Sequence, residues 1–211
     1  MQRPILIVGG APRVAVDAIR HLTVSATGAT AVTLSQHLRT VGREPHLLLS
    51  LDAAPSATAE RYRDRDALEL ALSTWISRHP DGCVVMSAAV NDYRVASVER
   101  WEGSDCQKLR AGEKLPSGAD EVVIRLRPEN KIIDRLRPEF GLRGPIVGFK
   151  FEAAASVLAS AEELLRRVDA ACVAANSLCG EVQAIIDASG AERFPTRPLM
   201  LTALAKRIAE I

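Results

Sequence analysis

The chain has 211 residues, 47% of them hydrophobic, with 27 Lys and Arg against 26 Asp and Glu. That length and apolar content suffice for one sizeable core, so residues 1–211 are read as a single domain. The net charge of +1 gives no electrostatic footing for a nucleic-acid or membrane partner, and no apolar run approaches the ~20 residues that span a bilayer.

Pro4 is followed by Ile5-Leu6-Ile7-Val8 and then Gly9-Gly10, a β-branched run ended by glycines of the kind that opens nucleotide-binding α/β units. From Ala29 to Val41 the apolar positions recur at helical spacing and Gly42 closes the segment, predicting a helix. Pro45 to Leu51 reads as strand, and Arg61 to Arg65, RYRDR, as a solvated loop or helix face. Ala67 to His79 carries a wide apolar helical face, stopped by Pro80-Asp81-Gly82. Cys83-Val84-Val85-Met86 then gives a continuous apolar run, the signature of an interior parallel strand covered on both faces.

Between Val95 and Ser117 the chain is polar and glycine-spotted, too long for a simple connection. With the alternating strand Glu121 to Leu126, this region is expected to form an extended flap after the central strand. A short helix over Glu129 to Leu136 follows, then a strand over Pro145 to Phe151, a helix over Ala153 to Arg167 and a strand over Ala170 to Ala174. Glu181 to Asp187 gives one more strand, and Arg197 to Ile211 a closing helix. The alternation predicts a three-layer α/β fold of Rossmann-like type, its sheet mostly parallel with helices on both faces.

In such sheets ligands bind beyond the carboxyl ends of the central strands. There Ser87-Ala88-Ala89-Val90 offers small side chains, and Asp92 two acceptor oxygens suited to ribose hydroxyls, if it is not an ordinary turn acid. Gly9 and Gly10 would allow a ligand close to the backbone. Phe149 reads as a base contact or a core aromatic, and Lys150 as a phosphate contact or a solvated lysine. Asn176, after Ala175, could read a base edge or cap a turn. Ser25, Thr27 and Gly28, just before a helix, can supply hydroxyls and backbone amides to an anion or merely cap that helix. The four cysteines, Cys83, Cys106, Cys172 and Cys179, form no CxxC pair, which argues for reduced thiols in a cytoplasmic protein. His21, His37, His46 and His79 lack metal-ligand spacing, and the metal ligands, if any, are not legible.

Ala88-Ala89-Val90-Asn91-Asp92-Tyr93-Arg94, Gln107-Lys108-Leu109-Arg110, Val147-Gly148-Phe149-Lys150-Phe151-Glu152 and Ala174-Ala175-Asn176-Ser177-Leu178, in that order and spacing, resemble the motifs of phosphopantothenoylcysteine synthetases. Gly10-Ala11-Pro12-Arg13 to Asp17 and Arg20 to Gly28 lie over the family's amino-terminal motifs, with Val24 where the family has an asparagine that contacts the acyl intermediate.

The resemblance implies a ligase that joins 4'-phosphopantothenate to cysteine through an acyl-nucleotide, in coenzyme A biosynthesis, with CTP or ATP and Mg²⁺. It implies Lys108 as the catalytic ammonium, carried on the flap. The nucleotide would be held by Gly9, Gly10, Ala88, Ala89, Val90, Asp92, Phe149, Lys150, Ala175 and Asn176, and phosphopantothenate by Arg13, Ser25, Thr27 and Gly28. It further implies a homodimer formed through the flap. Two other readings stay open: a nucleotide-binding homologue altered in catalysis, because of Val24, and a nicotinamide-dependent oxidoreductase suggested only by the opening strand and its glycines.

Overall fold

The computed structural model describes residues 2–56, 58–110 and 112–211. The chain opens with β1 (Ile5–Gly9), all five residues buried, followed by a small hairpin of β2 (Val14–Ala15) and β3 (His21–Leu22). Helix α1 (Ala29–Thr40), β4 (His46–Ser50), β5 (Glu60–Tyr62), α2 (Arg65–Arg78) and β6 (Cys83–Met86) come next. The middle of the chain forms β7 (Tyr93–Glu102), β8 (Asp105–Lys108) and β9 (Glu121–Pro128). The last third runs through α3 (Ile132–Arg135), β10 (Ile146–Glu152), α4 (Val157–Arg167), β11 (Cys172–Ser177), β12 (Gln183–Asp187), β13 (Gly190–Arg193) and α5 (Arg197–Glu210).

Eight strands make one sheet in the order β13-β12-β11-β10-β6-β1-β4-β5. The six from β11 to β5 are mutually parallel, and β12 and β13 add antiparallel at one edge. After β1 the chain builds outward through β4 and β5, then returns to the other side of β1 as β6. That reversal opens a crevice beyond the carboxyl ends of β1 and β6.

Alternation along the strands divides the core into two layers. Leu6, Val8, Val84, Met86 and Val173 face α2, α3 and α4, whereas Ile5, Ile7, Val85, Val147 and Ala174 face α1 and α5. This is the three-layer, mostly parallel α/β fold that the apolar runs imply. Local signals fix the helix starts: Asp64 caps α2 by accepting the backbone N–H of Ala67 at 3.0 Å, and Thr196 caps α5.

One segment differs from the sequence expectation. Arg61 and Tyr62 of RYRDR belong, with Glu60, to an edge strand parallel to β4 rather than to a solvated loop or helix face. Two-residue alternation turns Tyr62 inward, 1% exposed, with its hydroxyl donating to the Gly9 carbonyl at 2.9 Å. Arg61 points the other way and donates to the carbonyls of Ser50, Ala53 and Ala54. Tyr62→Phe is expected to lower stability by about 1–2 kcal/mol in urea denaturation, because a buried acceptor loses its donor.

The expected flap after the central strand is a three-stranded antiparallel sheet in the order β8-β7-β9, and it contains the strand read over Glu121 to Leu126. Cross-strand polar pairs hold it: Arg125 donates to Glu99 at 3.0 Å and Arg100 to Gln107 at 2.6 Å.

Candidate functional site

Beyond the ends of β6 and β10 lies a cleft of about 440 Å³. Its floor is Ser87-Ala88-Ala89-Val90, and Phe149 and Lys150 form one wall. The floor is tied to β1: the Ser87 backbone N–H and hydroxyl both donate to the Val8 carbonyl, at 3.0 and 2.7 Å, and the Ala89 N–H donates to the Gly10 carbonyl at 2.9 Å. Asp92 opens onto the same cleft. The turn that presents it is fixed by Asn91, whose side-chain oxygen accepts the Tyr93 N–H at 3.1 Å.

Charged groups ring the cleft in pairs. Lys131, one residue before α3, forms an ion pair with Asp92. Lys150 pairs with Glu152 at 3.1 Å, and Glu152 also accepts the hydroxyls of Ser160 at 2.7 Å and Ser156 at 3.4 Å. The Ser160 hydrogen bond, then Lys150, holds the Glu152 carboxyl below the usual carboxylate range against the opposing effect of burial.

Of the residues singled out from sequence, Ala88, Ala89, Val90, Asp92, Phe149 and Lys150 come together here. Val24 joins them at the rim, 39% exposed.

Other expected residues stand elsewhere. Asn176 and Ala175 are buried on β11, and Asn176 lies opposite Gln183 of β12 in register. The side-chain oxygens of Asn176 and Gln183 both lack a hydrogen-bond partner among the described residues. By strand alternation Asn176 shares the α1-side face with Ala174, and it does not line the Asp92 cleft. Arg13 pairs with Asp52 at 2.7 Å. Gly28 precedes α1 with φ +70°, and the Thr27 hydroxyl accepts the Ala29 N–H at 3.4 Å; Ser25 is exposed beside it.

Gly9 and Gly10 allow close packing of their neighbours. A Cβ on Gly9 would come within 2.4 Å of Ala31 Cβ, and one on Gly10 within 2.1 Å of Ser50 Oγ. The glycines therefore admit α1 and the end of β4.

Lys108 lies on the flap, opposite Glu99 across β8 and β7. It borders a separate hollow of about 380 Å³ between the flap and the 15–17 segment, not the cleft of Asp92. Asp17 joins these parts. Its buried carboxylate accepts the backbone N–H groups of Ile19 at 2.8 Å, Arg20 at 2.6 Å and Leu115 at 2.9 Å, and pairs with the Arg20 guanidinium. The Ala18 N–H adds a bond to the Glu113 carbonyl at 3.1 Å. Sequence reasoning kept Asp17 as a motif residue without seeing this latch, because its partner is 98 positions away.

Burial acts to raise the Asp17 pKa, but the backbone donors and Arg20 together drive it far below the usual carboxylate range. A depressed folded value means stability that is present above the unfolded pKa of about 3.9 and lost as the pH falls below it. Asp17→Asn is expected to flatten that acid limb. The gap in melting temperature between parent and variant should narrow as the pH falls from 7 to 3; parallel curves would contradict the latch.

Among the described residues no helix is long and apolar enough to cross a membrane, and no group of three or more His, Cys, Asp or Glu stands together as a metal site. All four cysteines are free thiols, and burial pushes Cys83 and Cys172 up to about 12.

The sequence profile described as the DNA/pantothenate metabolism flavoprotein C-terminal domain matches residues 1–191. The Coenzyme A biosynthesis bifunctional protein CoaBC of Thermococcus kodakarensis is 28% identical over 179 residues, 82% of this chain and 41% of that protein. The chain thus spans about two fifths of the curated relative it matches. The DNA/pantothenate metabolism flavoprotein from Streptococcus pneumoniae superposes with a TM-score of 0.81 at 19% identity, over 99% of each chain. A Cab2 variant in complex with phosphopantothenate-cysteine gives a TM-score of 0.71 at 14% identity, over 99% of this chain and 88% of that one.

Proposed function

The chain belongs to the DNA/pantothenate metabolism flavoprotein C-terminal domain family, and from that premise we propose that residues 1–211 act as one unit, a phosphopantothenate–cysteine ligase of coenzyme A biosynthesis. The observation that carries the reading is the single cleft shared by Ala88, Ala89, Asp92, Phe149, Lys150 and Val24. An acceptor at a strand end, an aromatic wall and lysines suit ribose, base and phosphates respectively.

In the proposed reaction the carboxylate of 4'-phosphopantothenate attacks the α-phosphorus of CTP or ATP and pyrophosphate leaves. The cysteine amine then attacks the acyl carbon, forming the amide and releasing the nucleoside monophosphate. Both steps bring anions together, so positive charge aimed at the phosphates is the protein's main contribution. Lys108 supplies it from the flap. Mg²⁺ fits this chemistry as a companion of the triphosphate, since that ion is held by one or two carboxylates, waters and substrate phosphates; Asp92 and Glu152 are the acids of the cleft.

Purified protein with Mg²⁺, 4'-phosphopantothenate, cysteine and either CTP or ATP is expected to release pyrophosphate. Release with neither nucleotide would sink the ligase reading. The exposed apolar Val24 favours a second reading, a nucleotide-binding homologue without ligase turnover. Nucleotide binding without pyrophosphate release would select it, and Val24→Asn should then raise the rate.

The proposed dimer uses the flap. Strand β9 is an edge of its sheet and exposes Val122, Ile124 and Leu126. An apolar edge strand of this kind is suited to a second copy. Ile124→Lys should shift the mass measured by light scattering from dimer to monomer; an unchanged mass would contradict this interface.

A further inference from the structure

We propose that Lys131 is a triphosphate ligand held in reserve on Asp92 and released by the nucleotide's own ribose. The inference rests on reading the cleft as a nucleotide site. Asp92 is the cleft acid suited to ribose hydroxyls, yet its Oδ2 is already engaged by the Lys131 ammonium. Among the described residues Asp92 is the side-chain partner of Lys131, and Lys131 that of Asp92.

The other cleft cations are committed differently. Lys150 is bound to Glu152, which Ser156 and Ser160 fix from α4 and the turn before it. Arg167 is bound to Asp134 at 3.0 Å and Glu163 at 3.4 Å. The ribose is directed to none of those three acids. It does compete for Asp92, so Lys131 is the cation whose counter-charge the ligand itself takes.

The exchange is easy in both directions. Lys131 is 44% and Asp92 33% exposed at the side chain, so water screens their attraction and the pair is weak. Once ribose hydroxyls donate to Asp92, the ammonium keeps its full charge on a four-carbon stem at the cleft mouth and pairs with the phosphates. A nucleoside without phosphates would displace Lys131 and offer it nothing in return. The device therefore selects for phosphorylated ligands at a residue that never touches the base.

The test compares the full chain with Lys131→Met and Lys131→Gln in Mg²⁺ buffer, titrated calorimetrically with CTP, ATP, cytidine and adenosine. Expected are triphosphate affinity weakened by about tenfold or more in both variants, nucleoside affinity equal to or tighter than that of the parent, and recovery of triphosphate affinity in Lys131→Arg. Equal weakening of nucleoside and triphosphate would mark Lys131 as merely structural and overturn the proposal, as would no change in either. A parent that binds neither triphosphate overturns the nucleotide reading itself, a failure distinguishable from the others because it appears before any substitution.

Discussion

Lys108→Ala is expected to lower the turnover number for pyrophosphate release by about 10²–10³-fold, the scale on which loss of one preorganised charge stabiliser acts. Nucleotide affinity should change little. The separation follows from the geometry: Asp92, Phe149 and Lys150 line the ground-state cleft, whereas Lys108 borders the hollow between the flap and Asp17. A group outside the resting site contributes when the flap brings it to developing charge, and such a group affects turnover rather than binding. Lys108 is exposed on a strand and its loss leaves no buried partner, so the melting temperature should hold. Steady-state kinetics beside calorimetry decide the matter. A variant with parental turnover would remove Lys108 from the chemistry, and one that merely binds nucleotide less tightly would make it a ground-state contact.

Gly10→Ala carries the largest expected loss of stability, about 3 kcal/mol, combining a left-handed backbone penalty of about 1–2 with overpacking of about 1–3. The glycine holds φ +83°, and a Cβ there would sit 2.1 Å from Ser50 Oγ and 3.0 Å from Ala53 Cβ. Ser50 cannot easily yield, since its hydroxyl accepts the Ala11 N–H at 3.1 Å in the buried core. For a chain of this size the loss corresponds to a drop of roughly 6–12 °C in melting temperature. Gly42→Ala is the control: φ is +75° but nothing lies within 4 Å of the added atom, so only the backbone penalty of about 1–2 kcal/mol applies. Equal losses at the two positions would show that packing against Ser50 is not what demands Gly10. Because the Gly10 carbonyl accepts the Ala89 N–H, the Gly10 variant should also disturb the cleft floor.

The parallel core was legible because it is written in continuous apolar runs. Ile5 to Val8, Cys83 to Met86 and Ile146 to Val147 are each buried on both faces, which no amphipathic period can imitate. Edges were harder to read. Glu60–Tyr62 shows one inward residue in three, too short for a period to emerge, and Gly190–Arg193 is exposed throughout. The flap strands pair through Glu99, Arg100, Gln107 and Arg125, whose polarity looks like a loop until the partner strand is known.

The cleft was half legible. Ala88 to Asp92 and Phe149-Lys150 follow apolar strands, so their place at the strand ends could be inferred from order alone. Lys131 could not be, because its meaning depends on Asp92, 39 residues earlier and across the root of the flap. Glu129 N–H donates to the Asp92 carbonyl at 2.8 Å, and that contact brings the two segments side by side. The contacts of Asn176 and Gly10 were not legible either: Asn176 lies opposite Gln183 in register, and a Cβ on Gly10 would meet Ser50.

The central claim is that a nucleoside triphosphate seats across the carboxyl ends of β6 and β10 with its ribose on Asp92. A crystal structure with a non-hydrolysable CTP or ATP analogue tests it most directly. The ribose hydroxyls are expected within hydrogen-bond distance of Asp92 and the base beside Phe149. An analogue bound elsewhere on the molecule, with the Asp92–Lys131 pair undisturbed, would contradict it.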